Sequence, residues 1–229
     1  MSVLPDTTSS IAAPTAPRVA RQNLKEQRRF ESGTLSIALF WIIAAVFIAA
    51  RFWRLTSYGL FGDEVFTLWT ADQHWKSLFA SVVGDVVHPP LFYVLLKLWI
   101  GIGGQTISWL KLLPVLFSIG SLVPFFFLCC ELKLHATVMN LALWLMAVNG
   151  FLISHSQELR MYSLLLFLTL GSFWLFAKIA NQDSKRTATQ ILLFVVNLLL
   201  VFTHYYGWVV VAIELVFLLM FRRQHVRSL

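Results

Sequence analysis

Long apolar runs constrain this chain more than any other feature of its sequence. Six segments carry almost no charge and approach the roughly 20 residues that a helix needs to cross a bilayer. They are Leu35–Ala50, Leu112–Cys130, Ala136–Ser154, Met161–Ala177, Thr187–Thr203 and Tyr205–Phe221. Hydrophobic residues make up 58% of the chain and charged residues only 13%, too few charges for the surface of a soluble domain. We therefore predict an all-α membrane protein.

The segment Pro89–Leu110 is the ambiguous one, because it is apolar but contains Lys97 and several glycines. It predicts either a seventh span or a helix at the membrane interface. Basic residues concentrate on the cytoplasmic side of membrane proteins. With six spans and a cytoplasmic N-terminus, that side holds 12 of the 18 Lys and Arg residues: Arg18, Arg21, Lys25, Arg28, Arg29, Lys133, Lys178, Lys185, Arg186, Arg222, Arg223 and Arg227. A seventh span would invert every later loop and move the Lys178–Arg186 and Arg222–Arg227 clusters outside. We therefore predict Pro89–Gly104 as a juxtamembrane helix on the outer face.

This topology divides the chain into three parts. Residues 1–32 are predicted to be a disordered cytoplasmic tail, residues 33–221 a membrane module with a first external loop over about 51–110, and residues 222–229 a basic cytoplasmic tail. The net charge of +7 is not read as nucleic-acid binding, because the charges flank apolar runs in short clusters. Cys129 and Cys130 lie inside an apolar run, so neither a disulfide nor a metal site is indicated.

The predicted external connections collect most of the residues capable of chemistry. Adjacent carboxylates at Asp63 and Glu64 can act as a general base or as metal ligands, and also suit a solvated acidic turn. His88 precedes two prolines, which suits a helix start and also an anion site. Glu158 and Arg160 form either an interfacial ion pair or part of a site. Tyr162, His204 and Tyr205 suit an aromatic belt at the interface equally well.

Taken together and in this order, the motifs resemble the glycosyltransferase family 39-like members of the GT-C superfamily. This family includes the dolichyl-phosphate-mannose protein mannosyltransferases and the aminoarabinose lipid A transferase. The resemblance rests on Gly-Asp-Glu at 62–64, His-Pro-Pro-Leu-Phe-Tyr at 88–93, Gln-Glu-Leu-Arg-Met-Tyr at 157–162 and Thr-His-Tyr-Tyr-Gly at 203–207. It spans about residues 35–221 and implies a GT-C-type helical bundle of about six transmembrane helices, with juxtamembrane helices in the first external loop. Such enzymes continue with further spans, so this chain is expected to match their N-terminal catalytic module.

The resemblance also implies an activity and a set of roles. The enzyme would transfer a sugar, with inversion, from a polyprenyl-phosphate donor to a lipid, glycan or protein acceptor on the non-cytoplasmic face. Asp63 would be the catalytic base and Glu64 would support it. Binding of the donor phosphate and substrate would fall to His88, Glu158, Arg160, Tyr162, His204 and Tyr205. A divalent metal is compatible with this chemistry, and Asp63 and Glu158 are its candidate ligands.

Two other functions remain as alternatives. A membrane protein that binds or translocates lipid-linked sugars would need the phosphate-binding residues without the carboxylate pair. An ion-coupled transporter would place ionisable residues in mid-span, where only Glu214 lies. The carboxylate pair favours the enzyme. We expect a multi-pass protein of the plasma membrane (the inner membrane of a bacterium), surrounded by lipid, with both termini cytoplasmic and the active face outside.

Overall fold

The fold is known from a computed structural model that describes residues 36–84, 89–181 and 187–227, with side chains up to Met220. These residues form helices and no strand. The predicted N-terminal tail, residues 1–32, lies outside the described residues. The helices are α1 Ser36–Phe52, α2 Asp63–Asp72, α3 Trp75–Gly84, α4 Leu91–Gly103, α5 Ile107–Gly120, α6 Leu122–Glu131, α7 Ala136–Val148, α8 Gly150–Gln157, α9 Tyr162–Asn181, α10 Thr187–Thr203 and α11 Gly207–Arg227.

Several of these helices have the apolar composition of membrane spans. Within the described residues, two are long and apolar enough to cross a bilayer: the 25-residue stretch Ile107–Glu131, which joins α5 and α6, and the 20-residue α9. The bent pair α7–α8 makes a third if it counts as one span. Helices α1, α4, α10 and α11 are apolar but shorter. The prediction of an all-helical protein with membrane-spanning helices is confirmed at this level.

One predicted span is broken in the structure. The run Ala136–Ser154 is divided at Asn149, where α7 and α8 meet at an angle of 58°. Asn149 has an extended backbone, and its side-chain oxygen accepts a hydrogen bond of 3.0 Å from the backbone N–H of Leu152. Asparagine favours this capping position because it satisfies a donor that a helix start leaves free. Hydropathy alone gave no sign of the break, since the residues on both sides of it are apolar.

Hydrogen bonds bring connections between helices together at two ends of the bundle. Gln157 at the end of α8 donates to the carbonyl oxygens of Arg51 and Trp53, next to the end of α1. We call this the upper end; it comprises residues 53–62, 158–161 and 204–206. At the opposite, lower end, Asn181 of α9 donates to the carbonyl oxygen of Glu131 at the end of α6.

Two apolar clusters hold the bundle together. One packs α4, α5, α9 and α10 around Leu96, Leu110 and Leu200, all buried. The other packs α1, α6 and α7 around Phe47 and Leu143. The outward faces of α10 and α11 also expose large apolar side chains, namely Ile191, Phe194, Leu198, Ile213, Val216 and Leu219. A water-soluble monomer rarely exposes contiguous apolar surface of this extent, which agrees with a lipid surrounding.

The predicted juxtamembrane segment forms α4, followed by a short turn into α5. Two tryptophans fasten this turn: the rings of Trp99 and Trp109 stack with centroids 4.2 Å apart. Each indole N–H donates to the backbone carbonyl oxygen of the other tryptophan, at 2.8 and 2.9 Å. Lys97 of α4 donates to the carbonyl oxygens of Ala71 and Gln73, which fixes α4 against the end of α2.

Candidate functional site

A cavity of about 370 Å³ opens at the upper end of the bundle. Its walls come from residues 58–64 before and at the start of α2, from Lys111 of α5, and from residues 154–162 at the end of α8 and the start of α9. Its volume is in the range of small-molecule sites. Five of the predicted site residues line it: Asp63, Glu64, Glu158, Arg160 and Tyr162. His88 lies outside the described residues.

Glu64 joins the two main walls of the cavity. It is buried, and its Oε2 accepts a hydrogen bond of 3.1 Å from the backbone N–H of Phe61, which closes the first turn of α2. Its Oε1 accepts one of 2.7 Å from the backbone N–H of Leu159. Both carboxylate oxygens therefore bind backbone donors. Gly62, with φ of 39°, allows the turn that brings Phe61 back to Glu64, because other residues rarely adopt that region.

Asp63 stands beside Glu64 but faces solvent. Its side chain is 81% exposed, and its Oδ2 lies 3.5 Å from a guanidinium nitrogen of Arg160. The two residues are 97 positions apart in the chain. An exposed carboxylate at a cavity rim can accept a proton from a bound molecule.

Arg160 is held deep in the same wall. Its side chain is only 6% exposed, and its Nη1 donates to the carbonyl oxygen of Asp63 and to the hydroxyl oxygen of Thr67, both at 3.2 Å. Segment 158–161 and the start of α2 therefore bind each other twice, through Glu64 to Leu159 and through Arg160 to Asp63. This double connection fixes the guanidinium at the cavity wall.

Glu158 forms a separate pair within the cavity lining. Its Oε2 lies 2.7 Å from Nδ1 of His155, and its Oε1 accepts a hydrogen bond of 3.1 Å from Ser154. Asp63 and Glu158 thus have different partners. No group of three His, Cys, Asp or Glu side chains with metal-binding geometry occurs among the residues that the structure describes. The two candidate metal ligands share the cavity without forming such a set.

A row of aromatic rings leads from the cavity to the last upper turn. The ring of Tyr162 lies 4.6 Å from that of His155 and 6.2 Å from that of His204. Tyr205 and Tyr206 follow, with their ring centroids 4.7 Å apart. A hydrogen bond to Tyr206 raises the pKa of the Tyr205 phenol. Of the aromatic site residues predicted, Tyr162 lines the cavity, whereas His204 and Tyr205 lie beside it.

Sequence reasoning missed Lys111 as a cavity residue. This lysine is buried, lines the cavity, and donates a hydrogen bond of 3.1 Å to the carbonyl oxygen of Tyr58. It borders an apolar run, and a single lysine in that position is typical of an interfacial charge. Its burial by residues 58–64 depends on a contact across 53 positions, for which the sequence contains no local signal.

Comparisons with known proteins return no match: no family model, no curated protein and no solved structure corresponds to this chain.

Proposed function

We propose that this chain is an integral-membrane glycosyltransferase, or the N-terminal catalytic module of one, that uses a polyprenyl-phosphate-linked sugar. The observation that carries the proposal is the pairing of Asp63 with Arg160 at the rim of a ligand-sized cavity, at 3.5 Å. The transfer needs a base next to a cation that binds phosphate. The resemblance of the motifs at 62–64 and 157–162 to GT-C enzymes supports the same assignment.

The proposed topology has six spans: α1, α5–α6, α7–α8, α9, α10 and α11. The upper end is the non-cytoplasmic face, α2–α4 are juxtamembrane, and both termini are cytoplasmic, in a plasma or bacterial inner membrane. Two observations support this arrangement. The ends of α1 and α8 meet at one end of the bundle, and the ends of α6 and α9 meet at the other. Under this arrangement, 12 of the 18 basic residues fall on the cytoplasmic side, as the positive-inside rule requires.

The proposed reaction is a single displacement at the anomeric carbon. The acceptor hydroxyl attacks that carbon, Asp63 takes the hydroxyl proton, and the bond between carbon and phosphate oxygen breaks with its electron pair on the phosphate. Arg160 binds the phosphate, because its guanidinium can hold two oxygens and stays charged. Its burial strengthens this interaction relative to water. Glu64 positions segment 158–161 and with it Arg160.

Transfer of radiolabelled sugar from polyprenyl-phosphate donors in membranes tests the proposal. Asp63→Asn keeps the shape and loses the basicity, so turnover should fall by about 10²–10⁴-fold with donor affinity nearly unchanged. Arg160→Ala should weaken donor binding as well. Asp72→Asn is the matched control, since Asp72 ends the same helix and contacts Gln105 instead of the cavity.

The outcome separates this proposal from its alternative. Wild-type turnover in Asp63→Asn, with Arg160→Ala impaired, would exclude Asp63 as the base and leave Glu64 as the candidate. If the wild-type protein binds donor and transfers no sugar to any lipid, glycan or protein acceptor, the protein binds or translocates lipid-linked sugars instead.

A further inference from the structure

The two cations on the cavity wall, Lys111 and Arg160, differ in their partners: Arg160 lies beside the carboxylate of Asp63, and Lys111 donates to a backbone carbonyl oxygen. An ammonium group has three donors, yet Lys111 makes one hydrogen bond within the described residues, to the carbonyl oxygen of Tyr58 at 3.1 Å. Its residue is only 5% exposed. Lys97, in contrast, is half-buried and donates to two carbonyl oxygens. A buried ammonium with unused donors is costly unless a ligand supplies acceptors.

The carboxylates of the cavity do not neutralise Lys111. Glu64 binds two backbone N–H groups, Glu158 binds Ser154 and His155, and Asp63 faces Arg160. No carboxylate of the described residues comes within ion-pair distance of the Lys111 ammonium. A charge of this kind on a cavity wall matches an anionic ligand, and a phosphate is the anion of the proposed reaction.

We propose that Lys111 is a second phosphate-binding group, placed on the α5 wall, and that it acts mainly on the phosphate as it leaves. This inference rests on the proposed function for the identity of its ligand. A sugar-phosphate-lipid donor is a phosphodiester with one negative charge. When the bond between the anomeric carbon and the phosphate oxygen breaks, the departing phosphomonoester carries up to two charges. One cation, Arg160, balances the single charge of the donor. Two cations, Arg160 and Lys111, balance the two charges of the leaving group.

This division of roles has a kinetic consequence. An interaction that strengthens as charge develops lowers the barrier to transfer, whereas one that is equal in donor and transition state only improves binding. Lys111→Met should therefore reduce kcat more than it raises KM for the donor. It should also weaken binding of a phosphomonoester more than binding of a phosphodiester.

Binding of two simple probes to the purified full chain in detergent tests the inference without requiring transfer. The probes are farnesyl phosphate, a monoester, and farnesyl methyl phosphate, a diester. Lys111→Met should weaken farnesyl phosphate binding by about 10–100-fold, the scale of a hydrogen bond to a charged group, and should weaken diester binding by less. Lys111→Arg should restore most of the affinity, because it keeps the charge. Lys97→Met, which removes a lysine outside the cavity lining, should leave both affinities unchanged.

The outcomes separate this inference from the proposed function. Wild-type affinity for farnesyl phosphate in Lys111→Met overturns it, whether or not the protein transfers sugar. Equal weakening of both probes also overturns it, since Lys111 would then bind the ground state. Selective weakening of the monoester in a protein that transfers no sugar would support Lys111 as a phosphate group and refute the transferase. Inorganic phosphate, added as a competitor, shows whether the phosphate alone or the prenyl chain as well is bound.

Discussion

Arg51 and the cavity pair Arg160 and Lys111 are buried cations that serve different purposes. Arg51 has no exposed surface and lies where α1, α5 and α7 meet. Its guanidinium donates to the carbonyl oxygens of Ala147 and Met146 at 3.1 and 2.9 Å. These carbonyls belong to the end of α7, where the break at Asn149 interrupts the helix. The Phe47 ring lies 3.4 Å from the guanidinium carbon. Arg51 thus binds the chain itself, and the cavity cations border open space.

The comparison teaches that burial alone does not identify a functional cation. A helix end leaves its last carbonyl groups without partners, and in an apolar surrounding a guanidinium with five donors can satisfy several of them. Arg51 does this for α7. The informative combination is a buried cation that lines a cavity, as Lys111 and Arg160 do. Substitutions should accordingly divide into those that change stability and those that change binding.

The largest expected effect on stability is that of Arg51→Leu. The change leaves two carbonyl oxygens at the end of α7, one buried and one partly buried, without these donors. At about 1–3 kcal/mol each, the free energy of unfolding should fall by about 2–6 kcal/mol. Denaturant titration in detergent measures it. Arg54→Leu is the control, since Arg54 is exposed and should change stability by less than about 0.5 kcal/mol.

Equal stability of the two variants would refute the assignment of Arg51 as a stabilising group, and with it the distinction between Arg51 and the cavity cations. Donor binding provides an independent test. Because α8 carries Ser154 and His155 to the cavity, a folded Arg51→Leu protein with a displaced α8 should also bind donor more weakly.

The sequence predicted the fold better than it predicted the site. Apolar runs are properties of contiguous residues, and so each predicted run corresponds to helices in the structure. The motifs at 62–64 and 157–162 also met at one cavity, because both belong to connections at the same end of the bundle. The break at Asn149, Arg51 and Lys111 escaped prediction. The roles of Arg51 and Lys111 depend on contacts across 53 positions or more, and an isolated charge beside an apolar run indicates only membrane topology. The break depends on a local cap at Asn149, which hydropathy does not detect.

Glu64→Gln should have an intermediate effect on stability. Glu64 resembles Arg51 in binding the chain itself, whereas its neighbour Asp63 resembles the cavity cations in facing open space. An amide presents one oxygen and one NH₂ group, so one of the two backbone N–H groups of Phe61 and Leu159 would lose its acceptor. We expect a loss of about 1–3 kcal/mol in the free energy of unfolding. Asp63→Asn should lose no more than about 1 kcal/mol, the contribution of a carboxylate in a first helical turn, because its side chain is exposed.

Measuring both variants for unfolding and for sugar transfer sharpens the assignment. A Glu64→Gln protein of wild-type stability that has lost transfer, beside an active Asp63→Asn protein, would make Glu64 the base. The expected pattern is the reverse: a destabilised Glu64→Gln protein, and a stable Asp63→Asn protein whose turnover is lowered by about 10²–10⁴-fold.

The smallest expected effect on stability is at Tyr205, in the turn beyond the cavity. Tyr205 is exposed, whereas Arg51 is completely buried. The pKa of Tyr205 is raised above its ordinary value of 10, chiefly by its hydrogen bond to Tyr206. A raised pKa means that folding favours the protonated phenol. Any stability that this contributes is complete below about pH 10 and is lost as the pH rises through the raised pKa. The exposure of Tyr205 should keep that contribution small, because solvent screens its interactions.

Absorbance titration at high pH can isolate this group by subtracting the Tyr205→Phe curve from that of the wild type. In a Tyr206→Phe background, the titration midpoint of Tyr205 should fall toward its ordinary value, because the hydrogen bond to the neighbouring phenol is removed. Tyr58→Phe, which removes a tyrosine elsewhere on the upper end, should leave that midpoint in place. An unchanged midpoint in Tyr206→Phe would mean that the turn does not hold the two phenols together. Contact with His204, whose ring centroid lies 4.4 Å from that of Tyr205, would then be what joins Tyr205 to the row of rings.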